Sequence, residues 1–130
     1  MLTGSCHCGQ LRWIYKKQPD SATACNCTIC RRYGALWIYG LEGETIETSG
    51  DSQSYVRGDH IEFHFCPKCG CVAYYQGILR EENGSLRMAA NLRMADDPSQ
   101  VQAIPTLRFD GFDSFKPAPA EDRCVSDYWL

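Results

Sequence analysis

The sequence "FCPKCG", residues 65–70, places two cysteines in a Cys-x-x-Cys turn directly after an apolar segment. A second cysteine pair stands near the N-terminus, in "SCHCG" at residues 5–9. Two thiolate pairs that lie far apart in a chain typically meet in a tetrahedral zinc site, with Zn–S distances near ~2.3 Å. We therefore predict a structural zinc that joins the N-terminal strand to the middle of the chain, and a single iron is the less favoured alternative. The four predicted ligands are Cys6, Cys8, Cys66 and Cys69.

A third group of cysteines lies in "CNCTICRR", residues 25–32, and comprises Cys25, Cys27 and Cys30. Three thiolates leave one position of a tetrahedral zinc unfilled. In a catalytic site that position is held by water or substrate, whereas a structural site closes it with a protein ligand. The spacing favours the open site, and both interpretations stand at this stage. The candidate closing ligands are Cys71, His60, His64 and His7.

Two arginines, Arg31 and Arg32, follow the third group directly. Three thiolates on Zn²⁺ leave a net charge of −1, which neighbouring guanidinium groups offset. Guanidinium also binds carboxylates in a bidentate manner. We therefore predict that Arg31 and Arg32 contact the carboxylates of an anionic ligand. The alternative is a pair of solvated surface cations.

The overall composition restricts the class of protein. A chain of 130 residues with 44% hydrophobic residues suits one domain with a buried core. The net charge of −3 and the pI of about 5.5 speak against nucleic-acid and anionic-lipid partners. There is no apolar run of membrane-spanning length and no leader-like N-terminus, so we expect a cytoplasmic protein. In a reducing compartment nine cysteines favour metal binding over disulfides.

Hydrophobic alternation with a period of two predicts a mainly β, antiparallel domain with the cysteines in its loops. The predicted strands are 10–17, 35–40, 60–65, 71–77, 85–92 and 106–112. Helical periodicity is scarce, and the candidates are short turns at 28–33 and 97–102. The segment "KPAPAED", residues 116–122, is typical of a loosely held exit from a domain.

The ordered motifs "GSCHCG", "CNCTICRR" and "FCPKCG" resemble those of the glutathione-dependent formaldehyde-activating (GFA) family, to which centromere protein V is related. The late segment "NLRMADDPSQVQAIPTLRFDGFDSF", residues 91–115, is similar to the family's ending. The resemblance implies one GFA-like zinc-binding domain over 1–130, with a core at about 3–116 and a tail at 117–130. It implies a β-tent fold that carries up to two zinc ions per chain. Its structural zinc ligands match Cys6, Cys8, Cys66 and Cys69, and its catalytic zinc ligands match Cys25, Cys27 and Cys30.

The resemblance also implies an activity. The family is named for joining glutathione to formaldehyde, which gives S-(hydroxymethyl)glutathione, a carbon–sulfur lyase type of reaction. We therefore expect a thiol such as glutathione and formaldehyde or another small aldehyde as substrates. The alternative function is a non-catalytic zinc module that carries glutathione or binds a protein partner. Two departures from the family pattern are Asn26, where histidine is common, and Cys71, directly after Gly70.

Overall fold

The computed structural model describes residues 1–129 and confirms the predicted mainly β class. Helical structure is limited to the short helix α1 (Cys30–Tyr33) and 3₁₀ turns at Leu92–Met94, Pro98–Gln100 and Val125–Tyr128. The strands in chain order are β1 (Leu2–Ser5), β2 (Arg12–Tyr15), β3 (Ala22–Cys25), β4 (Leu36–Leu41), β5 (Ile46–Ser49), β6 (Gln53–Arg57), β7 (Ile61–Phe65), β8 (Val72–Gly77), β9 (Arg87–Asn91), β10 (Thr106–Asp110) and β11 (Lys116–Pro117).

The strands form two sheets. A three-stranded sheet has the order β1-β2-β5, and an eight-stranded sheet has the order β11-β10-β3-β4-β9-β8-β7-β6. Neighbouring strands are antiparallel except for β3 and β10, which pair in parallel with Cys25 opposite Phe109. The arrangement is thus mainly antiparallel, as predicted, with this one parallel pair. This parallel pairing affects the site, because it places the C-terminal ends of β3 and β10 side by side in the large sheet.

Side chains of the large sheet alternate between two cores. On β4, Leu36 and Ile38 belong to the core that includes the three-stranded sheet, and Trp37 points to the opposite face. Strand β9 repeats the pattern, with Ala90 in the first core and Ala89 in the second. A period of two places neighbours on opposite faces of a strand. The second core also contains cysteines, so the functional cluster is built on a packed sheet face.

The first core fixes the three-stranded sheet against the large one. Trp13 and Ile46 are 1% and 0% exposed, and Trp13 lies opposite Gly4 in the β1–β2 ladder. Complete burial of such a side chain contributes about 1.5–3 kcal/mol, relative to its exposed state. This core therefore holds β1 in place, and β1 leads directly into the first cysteine pair.

The C-terminal segment packs more closely than its sequence predicts. Strand β11 pairs with β10, and the backbones of Cys124 and Pro105 pair in an isolated antiparallel β-bridge. Val125 is fully buried in the first core, and Tyr128 packs against that core. These contacts place part of segment 117–129 on the domain surface beside β10. No helix within residues 1–129 is both long and apolar enough to cross a lipid bilayer.

Candidate metal centres

The four cysteines of the two distant pairs meet at one point. All four sulfur atoms lie within 4.8 Å of one another. The Cys6 and Cys8 sulfurs are 3.5 Å apart, and the Cys8 and Cys66 sulfurs are also 3.5 Å apart. Cys69 completes the group, which we call the four-cysteine cluster. A set of four mutually close thiols without competing oxygen ligands has the composition of a closed zinc site.

Backbone amides support the sulfurs of the four-cysteine cluster. The amide of Leu11 donates to the Cys6 sulfur at 3.2 Å, and the amide of Lys68 donates to the Cys66 sulfur at 3.4 Å. Gly70 closes the second turn with a φ of 79°, a conformation that side chains disfavour. Its amide donates to the Cys66 carbonyl at 2.9 Å. Residues 66–70 therefore form a tight turn in which a backbone amide points at the Cys66 sulfur.

The second group forms where β3 ends and α1 begins. The sulfurs of Cys25, Cys27 and Cys30 lie within 4.8 Å of one another, and we call this group the three-cysteine cluster. The Cys30 amide donates to the Cys27 sulfur at 3.4 Å, and the Cys27 amide donates to the Cys25 sulfur at 3.5 Å. Cys27 and Cys30 are 3% and 7% exposed, while Cys25 is half-buried. The cluster thus has two enclosed sulfurs and one nearer to solvent.

No histidine, carboxylate or fourth cysteine within residues 1–129 joins the three-cysteine cluster. His64 uses both ring nitrogens elsewhere, with Nδ1 2.8 Å from the Ser52 hydroxyl and Nε2 3.0 Å from the Glu62 carboxylate. Cys71 packs against the first core beside Cys69. The open interpretation of this cluster is therefore the one that agrees with the geometry. The four candidate closing ligands that stay outside it are Cys71, His60, His64 and His7.

The two clusters each contain one thiol that ionises readily. The backbone amide of Cys71 lowers the pKa of Cys69 to about 5. A hydrogen bond from the Cys30 thiol lowers the pKa of Cys25 to about 5, and the same interaction raises the pKa of Cys30. Thiolates, and not thiols, bind metals. Cys69 and Cys25 are therefore thiols of their clusters that lose a proton readily.

Two side chains from distant strands donate to sulfurs of the three-cysteine cluster. The Trp37 indole Nε1 lies 3.3 Å from the Cys30 sulfur, and Arg57 Nη1 lies 3.4 Å from the Cys27 sulfur. Trp37 is fixed by aromatic contacts, with ring centroids 4.8 Å from Tyr75 and 6.0 Å from Phe63. Trp37 thus packs in the second core and also contacts the cluster. These donors reduce the negative charge that a metal-bound set of three thiolates carries.

The loop after β10 covers one side of the three-cysteine cluster. A Cβ atom added to Gly111 would lie 2.8 Å from the Cys27 Cβ and 2.9 Å from the Cys25 sulfur, so only glycine fits here. Asn26 donates from Nδ2 to Asp110 at 3.1 Å and accepts the Phe112 amide at 3.0 Å. The Ser114 amide and the Asn26 side chain hold the pKa of Asp110 well below its usual range. Asn26, which replaces a common histidine, thus ties this loop to the cluster.

The two arginines after the cluster have different surroundings. Arg31 lines a cavity of about 350 Å³ together with Cys25, Arg108 and Arg123. Arg108 and Arg123 both pair with Glu121, whereas no carboxylate within residues 1–129 lies within 4.0 Å of the Arg31 guanidinium. Arg32 is exposed and donates to the Thr28 carbonyl at 2.6 Å. The geometry therefore favours Arg31 over Arg32 as a contact for an anionic ligand.

Sequence reasoning missed two residues of the three-cysteine cluster's surroundings. Arg57 lies 30 positions from Cys27, and no local motif connects it with the cysteines. Gly111 has a signal in "FDG", because a glycine after a strand often permits a close backbone approach. Both residues are brought to the cluster by the folding of the large sheet, which places together strands that lie far apart in the sequence.

Comparison with known proteins agrees with this architecture. A crystal structure of a Rhodobacter sphaeroides protein, a structural genomics target, matches with a TM-score of 0.60 and 19% sequence identity. The match covers 81% of this chain and 99% of that chain, so the two share a fold.

At the sequence level, the chain is 31% identical to a Halomonas elongata protein named "Putative glutathione-dependent formaldehyde-activating enzyme". The alignment covers 53% of this chain and 52% of the relative, so the chain spans about half the length of the curated relative. The model of the family described as "Glutathione-dependent formaldehyde-activating enzyme" matches residues 1–108, which include both cysteine clusters. The relation to centromere protein V stays a prediction. By the extent of the family match, this chain belongs to the glutathione-dependent formaldehyde-activating enzyme family.

Proposed function

We propose that this protein is a zinc-dependent enzyme of the carbon–sulfur lyase type, which joins a thiol such as glutathione to formaldehyde or another small aldehyde. The observation that carries the proposal is the three-cysteine cluster, in which three sulfurs meet without a fourth protein ligand within residues 1–129. Membership of the family supports the choice of glutathione and formaldehyde. We also propose a cytoplasmic, reducing setting, which the nine free cysteines support.

The donor sets of both clusters suit zinc. Thiolate sulfur is a preferred zinc ligand, and both groups lack the carboxylates that magnesium or calcium require. Cys6, Cys8, Cys66 and Cys69 would hold a structural ion, and Cys25, Cys27 and Cys30 would hold a second one. Zinc in the second position would lower the pKa of a thiol that fills its open site and thereby supply a thiolate near neutral pH.

The chain's own residues have separate tasks in the proposed reaction. Trp37 and Arg57 donate to the cluster sulfurs and limit their negative charge. Arg31, which lies within 4.0 Å of no carboxylate in residues 1–129, is placed where it can receive a carboxylate of the thiol substrate. The substrate sulfur forms a bond to the carbonyl carbon, one electron pair of the C=O bond moves to oxygen, and that oxygen takes up the proton that the thiol has lost. The product is a hydroxyalkyl thioether, and no oxidant or reductant takes part.

A rate assay tests the enzymatic proposal. Adduct formation from glutathione and formaldehyde should exceed the rate without protein, and Cys30→Ser should remove that excess. Cys124→Ser is the matched control, because Cys124 lies outside both clusters. If glutathione binds but the rate never exceeds the uncatalysed one, the protein is a glutathione carrier and the enzymatic proposal is wrong.

Metal analysis gives the first prediction. Protein purified without chelator is expected to contain two zinc ions per chain. A mild chelator should remove the ion of the three-cysteine cluster first, because its open position gives the chelator a direct route. Lowering the pH should release the two ions in the same order, since protons compete with zinc for thiolates. A metal-free preparation with a normal fold would contradict both zinc assignments.

Calorimetry with glutathione and S-methylglutathione gives the second prediction. The S-methyl compound has no ionisable thiol, so it should bind far more weakly than glutathione. Arg31→Met should weaken glutathione binding by about 3–10-fold, the effect of one partly exposed charge-assisted contact. Arg32→Met is the matched control, because Arg32 lies next in sequence and donates to Thr28 instead.

Salt adds a further check on the same contact. Binding to wild type should weaken as salt rises, because exposed ion pairs are screened over a Debye length of about 8–10 Å. Arg31→Met should show a smaller dependence on salt. Equal affinity for glutathione and its S-methyl analogue would contradict a role for the sulfur, and equal effects of Arg31→Met and Arg32→Met would contradict the assignment of Arg31.

A further inference from the structure

A second and larger cavity adjoins the three-cysteine cluster. Its volume is about 800 Å³, within the range of about 300–1,000 Å³ that is usual for pockets that bind organic ligands. Arg57 is the connection, because it lines this cavity and also donates to the Cys27 sulfur at 3.4 Å. Tyr75 lines the cavity too and contacts Trp37, which donates to Cys30. The cavity thus opens on the same sheet face as the cluster.

Four of the side chains that line this cavity are large and either aliphatic or aromatic. Ile61 and Tyr75 form its floor on β7 and β8, and Leu79 and Phe115 stand at its sides. Leu79 and Phe115 are 79% and 73% exposed, so a ligand in the cavity would cover apolar surface of both side chains. Phe115 is held in place by an edge contact with Phe109 at 5.1 Å. These four side chains offer a surface for a hydrocarbon chain.

The charged groups of the cavity are exposed at its edge. Asp59 pairs with His60, which leaves Glu81 and Arg87 as further charges there. Formaldehyde has one carbon and one oxygen, so it would occupy only a small part of this space and would leave the apolar wall uncovered. The size and character of the cavity therefore point to a larger carbonyl compound.

We propose that the carbonyl substrates include aldehydes with an apolar chain of several carbons, with the oxygen on Arg57 and the chain against Ile61, Leu79 and Phe115. The proposal rests on the proposed function and extends it from formaldehyde to a substrate class. A guanidinium carries five N–H donors, and the contact with Cys27 uses one of them. In the part of the chain that the structure describes, the other donors make no hydrogen bond, so they can donate to the carbonyl oxygen.

The proposed step accounts for each bond. The thiolate sulfur forms a bond to the aldehyde carbon, and an electron pair of the C=O bond moves to oxygen. Arg57 donates a hydrogen bond to this oxygen while its negative charge develops, which is the moment at which such a donor lowers the barrier. The oxygen then takes the proton that the thiol released. Arg57 is a catalytic residue in this scheme, because it touches the reacting oxygen.

A chain-length series tests the cavity in the zinc-loaded protein. Rates with glutathione are measured for formaldehyde, butanal and hexanal in wild type, Ile61→Trp and Val56→Trp. Ile61→Trp fills the cavity, whereas Val56→Trp adds a large ring on the opposite face of β6, one residue from Arg57. The ratio of kcat/KM for hexanal to that for formaldehyde should fall at least tenfold in Ile61→Trp only. The same ratio in all three proteins would overturn the proposal.

A binding measurement separates failure of this inference from failure of the proposed function. Hexanamide has a carbonyl oxygen and a similar chain but forms no adduct with thiols. Calorimetry should detect its binding to wild type and a loss of at least tenfold in Ile61→Trp. Binding without turnover of any aldehyde would contradict the enzymatic function and leave the cavity assignment intact. Turnover of formaldehyde with neither hexanamide binding nor chain-length dependence would overturn the cavity assignment alone.

Measurements of kcat in Arg57 variants test the role of Arg57. Arg57→Met should lower kcat for every aldehyde by on the order of 10²-fold, the usual effect of removing one oxyanion donor. Arg57→Lys should restore part of the rate, because it keeps a positive donor in the cavity. Zinc content is measured in parallel, since Arg57 also contacts Cys27. An unchanged kcat in Arg57→Met with two zinc ions bound would overturn the placement of the oxygen.

Discussion

Replacing Cys66 by serine is expected to prevent stable folding. The Cys66 side chain is 0% exposed, and its sulfur belongs to the four-cysteine cluster. Apparent binding free energies for structural zinc reach about 10–16 kcal/mol in zinc-finger peptides, and this binding is coupled to folding. A whole domain is stable by only about 5–15 kcal/mol. Loss of one ligand of this cluster therefore removes an amount comparable to the entire stability.

Thermal melting followed by circular dichroism, with zinc analysis of the same samples, checks this result. Cys27→Ser should melt close to wild type with one zinc bound and with weakened glutathione binding, because the open cluster is expected to serve the ligand more than the fold. Cys124→Ser is the control for the substitution itself, since Cys124 contacts neither cluster. Equal destabilisation by Cys66→Ser and Cys27→Ser would contradict the division into a structural and a catalytic site.

Gly111→Ala is expected to disable the three-cysteine cluster while the rest of the domain remains folded. The added methyl group would approach the Cys27 Cβ to 2.8 Å and the Cys25 sulfur to 2.9 Å. Both atoms belong to cysteines that we propose as metal ligands, so relief of the overlap has to shift these cysteines or the loop that holds Gly111 against them. Overpacking of this kind typically costs about 1–3 kcal/mol, which corresponds to roughly 5–150-fold in metal affinity if the whole cost falls on the metal-bound state.

The matched control for Gly111→Ala is Phe112→Ala. Phe112 is the next residue, its side chain is 66% exposed, and the variant keeps the amide that Asn26 accepts. We expect Gly111→Ala to lose the second zinc and the excess rate of adduct formation, and Phe112→Ala to retain both. Two bound zinc ions and full activity in Gly111→Ala would show that the cluster tolerates a side chain at this position.

Some features of the molecule could be predicted from its sequence and others could not. The cysteine groupings were predictable because metal ligands recur in short spacings, and the structure brings each predicted group together. Strands with one buried face, such as β2 and β7, were predictable from alternation. Strand β6 was missed because four of its five side chains are exposed, so it carries no apolar period. The parallel pairing of β3 with β10 was missed because pairing partners leave no local pattern in the sequence.

The surroundings of the three-cysteine cluster were hardest to predict. Arg57 reaches Cys27 from the edge strand β6, and Gly111 reaches it from the loop after β10. Each contact depends on the order of strands in the large sheet, which single-sequence periodicity does not encode. In the sequence, Arg31 is favoured over Arg32 only by its place next to Cys30, and their hydrogen bonds and cavities separate them further. The chemistry of a cluster is thus local in sequence, while its access and electrostatics depend on tertiary structure.

Two wide sequence separations, within the four-cysteine cluster and between the three-cysteine cluster and its covering loop, have a consequence for biosynthesis. Cys8 and Cys66 are 58 positions apart, so a growing chain cannot close the four-cysteine cluster until about half of it has left the ribosome. The loop that covers the three-cysteine cluster can take its place only later, because Asn26 binds Asp110, which lies 84 positions further along the chain. Closure of such long loops is slow, because their entropy is lost before distant contacts compensate for it. We expect newly made chains to acquire their structural metal first and to complete the reactive cluster as one of the last steps of folding, so that the unshielded thiols of residues 25–30 pass through a period of exposure to metals and oxidants.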